Sequence, residues 1–159
     1  MVRTTRGVEL QLKEIRPSAL ALKLKLEEIE TQLEAKGLES AFQTAKQKQV
    51  QAIMTTAIRT FFAERKRIVE LAAKYRLPAI YPNKEYVHEG GLMFYGVDSD
   101  DQYRKAAHYV DKILKGTKPA DLPVQQATKF EFIINLKTAK QIGVTIPPDL
   151  LARATKIIR

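Results

Sequence analysis

Cysteine is missing from this chain, and histidine occurs only twice in its 159 residues. Without cysteine there is no disulfide, no thiolate metal site and no cysteine nucleophile. The two histidines, His88 and His108, show no metal-ligand spacing and are typical of surface histidines. No apolar run approaches the length of a membrane span, so no membrane insertion is expected. Stability must therefore come from packing.

Positive charge is in excess. Lysine and arginine number 27 against 18 acidic residues, which gives a formal net charge of +9. Basic proteins attract phosphate without reading sequence. However, the densest run, Arg65-Lys66-Arg67, lies between Glu64 and Glu70 on a predicted helix. This pattern favours a solvated helix face, so we expect no nucleic-acid partner.

The amino-terminal stretch allows two interpretations. Residues 8–12 alternate apolar and polar side chains, which predicts a strand that Pro17 ends. Leucines at 20–26 also alternate, but apolar positions from 22 to 33 fit helical spacing as well. We favour a helix from about Leu26 that ends at Gly37, because strong helix formers dominate there.

Strand and helix patterns then alternate toward the carboxyl terminus. Strands are predicted at 50–54, in a short segment that ends at Tyr81, at 92–95 and at 130–136. Helices are predicted at 38–47, at 61–75, from Asp100 to Gly116, at 138–142 and at 148–158. This alternation predicts an α/β fold: one domain over 1–159, with a three-layer parallel sheet covered by helices on both faces. Residues 117–128 are a proline-containing linker, and 143–159 a carboxyl-terminal helical tail.

The most regular helix is the one that starts near Asp100. Its apolar stripe contains Tyr103, Ala106, Ala107, Val110, Ile113 and Leu114. Asp98, Asp100 and Asp101 precede or open it, where carboxylates cap free amides and favour the helix dipole. We interpret these aspartates as caps rather than as a cation site.

Enzymatic signals are weak, and we expect no catalytic residue, no metal and no cofactor. Gly90-Gly91 lacks the spacing of a dinucleotide loop and is typical of a turn with unusual backbone angles. In open parallel sheets, ligands bind beyond the carboxyl ends of the strands. Three predicted loops, at 55–61, 82–86 and 94–98, meet that condition.

These loops offer hydroxyl groups, charges and aromatic rings, a mixture that suits an amino-acid-like solute. The candidate ligand-binding residues are Thr55, Thr56, Thr60, Phe61, Tyr81, Lys84, Glu85, Tyr86, Phe94 and Tyr95. The alternative is that Tyr81 and Phe94 belong to the core and the remaining residues to solvated loops.

Several segments of the amino-acid sequence resemble one bacterial protein family. RLPAIYPNKEYVHEGGLMFYG at 76–96, the run at 109–131 and NLKTAKQIGVTIPPDLLARA at 135–154 are similar to the carboxyl-terminal part of ABC-transporter substrate-binding proteins. The resemblance covers 50–159, with shorter similar segments at 7–16 and 38–42. It departs from the family at 18–37, which looks inserted, and at Phe94, where a small polar residue commonly precedes Tyr-Gly.

The resemblance implies one lobe of a type I periplasmic-binding-protein-like fold that binds an amino-acid-like solute, such as an aromatic one, and docks on an ABC permease. The sequence shows no export signal, which predicts a cytoplasmic location for the chain as given. The family resemblance implies a periplasmic location if the chain is a trimmed or fragmentary form of a longer protein. Apolar residues after Gly143 need a partner if the other lobe is absent, which predicts a homodimer. The alternative function is a cytoplasmic oligomeric or regulatory module without solute.

Overall fold

The computed structural model describes residues 6–31 and 35–159. The helices are α1 (Arg6–Ala21), α2 (Ala35–Gln47), α3 (Arg59–Ala63), α4 (Arg65–Lys74), α5 (Lys84–His88), α6 (Ser99–Leu114), α7 (Leu136–Ile142) and α8 (Pro148–Arg153), with a 3₁₀ turn at Pro119–Asp121. The strands are β1 (Ile53–Met54), β2 (Ala79–Tyr81), β3 (Met93–Val97), β4 (Phe130–Asn135) and β5 (Lys156–Ile158).

The five strands form one sheet in which each strand lies beside the next one along the chain. Strands β1, β2 and β3 are parallel, and so are β4 and β5, but β3 and β4 are antiparallel. The α/β class is therefore confirmed, with a mixed sheet in place of a fully parallel one. The reason is that α6 and the connector after it return the chain to the end of the sheet where β3 stops, so β4 must run back.

One face of the sheet is covered by α4 and α5, with α2 packed on α4. The buried stripe of α4 includes Ile68, Val69 and Ala72, and Tyr86 on α5 is fully buried. A second cluster joins α7 and α8 to Leu92 and Ile134 at the other end of the sheet. The apolar periodicity of α2 and α4 thus reports real burial.

The amino-terminal predictions were wrong. Residues 8–12 belong to α1, and Pro17 lies inside that helix rather than after a strand. A short alternation is weak support for a strand, because the residues of this stretch are mostly strong helix formers and a helix satisfies its own backbone. The helix favoured from Leu26 is also absent: residues 22–31 have no regular structure, and α2 contains Gly37. Residues 32–34 lie outside the described ranges.

The carboxyl-terminal prediction was wrong in part. Gly143 ends α7 with a left-handed backbone (φ 77°), as expected. The final helix, however, ends at Arg153, and residues 156–158 form β5 beside β4. The apolar residues of this tail pack onto the sheet of their own chain, with Ile146 buried and Leu150, Leu151 and Ile158 half-buried. They are not an open surface that needs a second copy.

Three smaller differences concern the region around the predicted loops. The strand predicted at 50–54 has only two residues in β1. The helix predicted at 61–75 is divided at Glu64, where the backbone leaves helical geometry (φ −90°, ψ 12°). The loop predicted at 82–86 is largely α5, because Glu85, Tyr86 and Val87 form a helical turn that packs on β3.

Candidate functional site

The predicted ligand-binding residues lie around the end of the sheet where β1, β2 and β3 finish. Antiparallel β4 starts at the same end, since Val97 is paired with Phe130 and Gly96 with Glu131. We call this the polar edge: the segments 55–58, 82–86, 94–101 and 129–131. The polar edge lies beyond the carboxyl ends of the parallel strands, where open α/β sheets generally bind ligands.

The segment after β1 contains three of the predicted threonine hydroxyls. Thr55 and Thr56 are half-buried, whereas Thr60 is exposed on α3. The side-chain oxygen of Thr55 is buried and makes no hydrogen bond of good geometry with the described residues. It nevertheless lies close enough to the Tyr86 hydroxyl to lower the pKa of that group. Phe61 is half-buried against the main core.

Tyr81 and Tyr86 are stacked on each other, with ring centroids 4.6 Å apart and an interplanar angle of 9°. Both side chains are buried, and burial raises the pKa of Tyr86 to about 12 and that of Tyr81 further still. The Tyr81 hydroxyl has no hydrogen-bond partner among the described residues. The rings therefore belong to the core, as the alternative interpretation of Tyr81 held, but their hydroxyls do not make all the hydrogen bonds that they could.

The only predicted cation, Lys84, is held by two carboxylates. Its ammonium donates to Asp100 at 2.8 Å and to Glu131 at 3.4 Å. The hydrogen bond to Asp100 is the main reason why the pKa of Lys84 is raised. Glu85, its neighbour on α5, is half-buried. A solute carboxylate at Lys84 would compete with these two carboxylates for the ammonium.

Phe94 and Tyr95 lie on opposite faces of β3, so they do not form one site. Phe94 is buried with Val87 and Ile133, and its ring approaches Gly96 so closely that a Cβ there would lie 2.7 Å from it. Tyr95 is exposed and stacks on Phe130 at 5.9 Å. The structure therefore brings Thr55 and the tyrosine pair together and places Lys84, through Glu131, on the same face of the sheet, without Tyr95.

Sequence reasoning missed Glu131, Lys129 and Phe130, all at the amino end of β4. They reach the polar edge only because β4 is antiparallel, which the expectation of a parallel sheet excluded. Asp98 was interpreted correctly: its side chain accepts from the Asp101 amide at 3.0 Å and caps α6. Asp101 then pairs with Lys105 and Lys129, both at 2.9 Å, so these aspartates are structural.

Open volume lies away from the polar edge. A cavity of about 10 Å³, enough for a single water, is lined by Val69, Gly91, Leu92 and Thr138, and by the predicted site residue Tyr81. A shallow groove of about 270 Å³ runs between α2 and α4, where Lys36, Ser40 and Arg67 line it. A ligand at the polar edge would therefore need α3 or the segment before it to move.

The family model for ABC transporter substrate binding proteins matches residues 5–158. Curated proteins give no match. A conserved domain protein from Vibrio cholerae is similar in structure, with a TM-score of 0.79, 30% identity, and coverage of 94% of this chain and 50% of its own.

Two further solved structures are similar. One is an ABC domain from Streptococcus pneumoniae in complex with L-Trp, with a TM-score of 0.78, 26% identity, and coverage of 94% of this chain and 51% of that one. The other is the ligand-free, open form of a Clostridium difficile substrate-binding protein with adhesive properties. Its TM-score is 0.73 at 16% identity, and the match covers 98% of this chain and 52% of that one. At this identity the likeness supports the fold alone. The chain spans about half the length of these relatives.

Proposed function

Because the chain belongs to the ABC transporter substrate-binding protein family, we propose that it is a non-enzymatic solute-binding lobe that binds an amino-acid-like molecule, such as an aromatic amino acid, at the polar edge. One observation carries the proposal. At the carboxyl ends of adjacent parallel strands, the buried Tyr81 hydroxyl has no hydrogen-bond partner among the described residues, and the buried Thr55 hydroxyl has only the nearby Tyr86 hydroxyl, without a hydrogen bond of good geometry. A buried hydroxyl without a partner is costly, so a ligand that supplies one gains binding free energy.

The charges of the polar edge suit a zwitterion. Lys84 is the cation for a solute carboxylate, and Asp100 is the partner that the solute replaces. Asp100 is largely exposed, and exposed ion pairs contribute little free energy, so the exchange costs little. The Thr55 and Tyr81 hydroxyls then bind the amino group or a polar atom of the side chain. The complex of a relative with L-Trp supports this class of ligand.

Access to Thr55 is through α3. This helix has five residues, none of them buried, and no side chain caps its first turn. Displacing it exposes the hydroxyls but removes Phe61 and Phe62 from the core and breaks the edge contact of Phe62 with Tyr86, so binding has to compensate for this loss. Since a single lobe contacts a solute from one side only, we expect a dissociation constant on the order of 1 mM.

Within the described residues, no helix has both the length and the apolar character to cross a bilayer. The family is normally periplasmic and works with ABC permeases. We therefore expect solute capture outside the inner membrane and delivery to a permease.

The test is a titration of isotope-labelled protein, followed by amide chemical shifts, with L-tryptophan and with its carboxamide as probes. We expect L-tryptophan to shift amides of residues 55–60 and 82–86, and the carboxamide, which gives Lys84 no carboxylate, to bind at least threefold more weakly. The Thr55→Val and Tyr81→Phe variants should lose most of the affinity, whereas Tyr103→Phe on α6 should keep it.

Both site variants should leave the melting temperature of the ligand-free protein unchanged or slightly raised, because the removed hydroxyls make no hydrogen bond. Equal affinity in wild type and in both variants would overturn the assignment of the site. No response to any of the common amino acids at 10-fold the expected dissociation constant would overturn the function itself.

A second candidate function is a homo-oligomeric module without solute. The observation that favours it is the filling of the polar edge by its own side chains: the Tyr81, Tyr86 and Phe94 rings are all buried, and Lys84 is already paired. A self-associating protein that responds to no solute would support this candidate.

A further inference from the structure

The apolar face of α6 is uncovered. The predicted stripe of α6 is helical as expected, but its large side chains are exposed, with Tyr103 at 77% and Leu114 at 82%. Only Asp101 is buried on this helix. Helix α6 makes few contacts with any other helix or strand. Its contacts are mainly at its amino-terminal end, around Asp98 and Asp101, which we call the base of α6. Farther along the helix, the Tyr109 hydroxyl donates to the Pro123 carbonyl.

A second apolar surface is uncovered on the sheet. The strand register places Met54 and Tyr95 on the face opposite to the Tyr81–Tyr86 stack, and Phe130 lies beside Tyr95 on that same face. Tyr95 is 56% exposed and Phe130 47%. Helix α8 covers the part of this face near Met93 and Phe132 but leaves these three residues open. We call Met54, Tyr95 and Phe130 the open sheet face.

The chain cannot bring its own α6 onto this face without breaking the base of the helix. The Asp98 amide donates to the Lys129 carbonyl at 3.0 Å and extends the ladder between β3 and β4. Asp98 also caps α6, and Asp101 ties it to Lys129. These contacts fix the direction in which the helix leaves the sheet. A second molecule meets no such restriction.

We propose that two copies of this chain associate by placing α6 of each copy on the open sheet face of the other. The two surfaces are complementary in kind, since one is an apolar helix stripe and the other an apolar sheet face, and helix on sheet is a standard packing of layers. The contact is reciprocal, as a two-fold dimer requires. This proposal does not depend on solute binding.

The area is sufficient for a stable dimer. Seven large side chains are exposed on the two surfaces: Tyr103, Val110, Ile113 and Leu114 on α6, and Met54, Tyr95 and Phe130 on the sheet. Large aromatic side chains bury about 150–250 Å² each, so these seven together can bury roughly 700 Å² per copy. A standard interface buries about 800 Å² per partner. Because each copy has a net charge of +9, we expect association to strengthen as salt screens the repulsion.

The experiment is sedimentation velocity over a concentration series with one variant on each surface. Val110→Glu lies in the middle of the α6 stripe, Met54→Glu lies on the open sheet face, and Val124→Glu, at a fully exposed position outside both, is the matched control. We expect a wild-type dimer, a dissociation constant raised at least tenfold by each surface variant, and no change with Val124→Glu. Circular dichroism checks that every variant is folded.

Mixing the two surface variants distinguishes this arrangement from others. A mixed dimer keeps one intact contact, because the α6 of the Met54→Glu chain can pack on the sheet of the Val110→Glu chain. The mixture should therefore dimerise more strongly than either variant alone. A wild-type protein that stays monomeric at about 100 μM would overturn the proposal. So would a dimer that neither variant weakens, or a mixture that gains nothing.

If a surface variant fails to fold, hydrogen exchange of the wild type at two concentrations replaces it. Amides of α6 should exchange more slowly at the higher concentration, while those of α4 stay the same. Exchange of α6 that is independent of concentration in a dimeric protein would contradict the proposed contact.

Discussion

Helices α4 and α6 are both amphipathic, but only α4 has its apolar face covered. Ile68, Val69, Leu71 and Ala72 of α4 are buried, whereas the corresponding stripe of α6 is exposed. Polar contacts occur on both helices, and on α4 Arg65 pairs with Glu89 and Lys74 with Glu39. Around Asp98 and Asp101, α6 is fixed at its base by a cap and two ion pairs.

This difference indicates where stability and association come from. The cluster around α4 and α5 and the cluster around α7 and α8 carry the folding free energy, since buried apolar area is the dominant stabilising term. The α6 side contributes little of it and presents surface instead. Substitutions should therefore have large effects on folding in these two clusters and small effects on the α6 side.

The largest effect is expected for Tyr86→Ala. The side chain is fully buried, stacked on Tyr81 and in edge contact with Phe62 at 6.3 Å. Removing a buried aromatic ring costs about 3–5 kcal/mol. Urea denaturation should show this loss, whereas Val124→Ala, on the connector after α6, should stay within about 0.5 kcal/mol of wild type. A loss below about 1 kcal/mol for Tyr86→Ala would mean that the tyrosine stack is not core.

A smaller loss is expected for Gly91→Ala. A Cβ at this position would lie 2.6 Å from Tyr81 Cε2 and 2.7 Å from the Tyr86 carbonyl oxygen. The backbone oxygen cannot easily move, so overpacking should cost about 1–3 kcal/mol. Gly116→Ala, after α6, meets open space but has φ 97°, and should lose only about 1 kcal/mol through backbone strain.

The two glycine variants separate packing from backbone geometry. If Gly116→Ala costs as much as Gly91→Ala in the same urea series, the close approach of Gly91 to the tyrosines does not limit stability.

The effect of pH is smaller and concerns the base of α6. Lys105 and Lys129 hold the pKa of the Asp101 carboxyl below its ordinary value of 3.8. The unfolded chain then binds the proton more tightly than the folded one, so the contribution of Asp101 is present above about pH 4 and is lost as pH falls below it. The melting temperature of wild type should fall from pH 5 to pH 3.

Asp101→Asn should melt a few degrees lower than wild type at pH 7 and show a shallower decline toward pH 3. Asp149→Asn, in the first turn of α8, is the matched control and should keep the wild-type slope. An unchanged slope in Asp101→Asn would show that the ion pairs at the base of α6 do not stabilise the fold.

The sequence predicted the centre of the molecule better than its ends. Residues 79–81 form a strand, 99–114 a helix and 136–142 a helix that Gly143 ends, because long periodic stripes and clear end signals identify such elements. The first strand and the last helix were wrong because short apolar runs fit either period. Neither α1 nor β5 is identified by its own residues: β5 exists because β4 offers an edge.

The candidate site stays a prediction: the sequence indicates which residues lie near the ends of strands, but not the direction of their side chains. Periodicity indicates that a residue follows a strand, not whether its side chain turns inward. Tyr81 and Phe94 therefore lie in the core although both are next to the polar edge. The same limit explains α6: its stripe predicts a buried face, and no local signal states what covers it.

The most direct test of solute binding at the polar edge is native mass spectrometry of the protein after incubation with millimolar amino acids. We predict a mass increment equal to one amino acid per chain for wild type, and none for Thr55→Val with Tyr81→Phe. Spectra without an increment for wild type, or with the same increment for the double variant, would contradict a solute site at these hydroxyls.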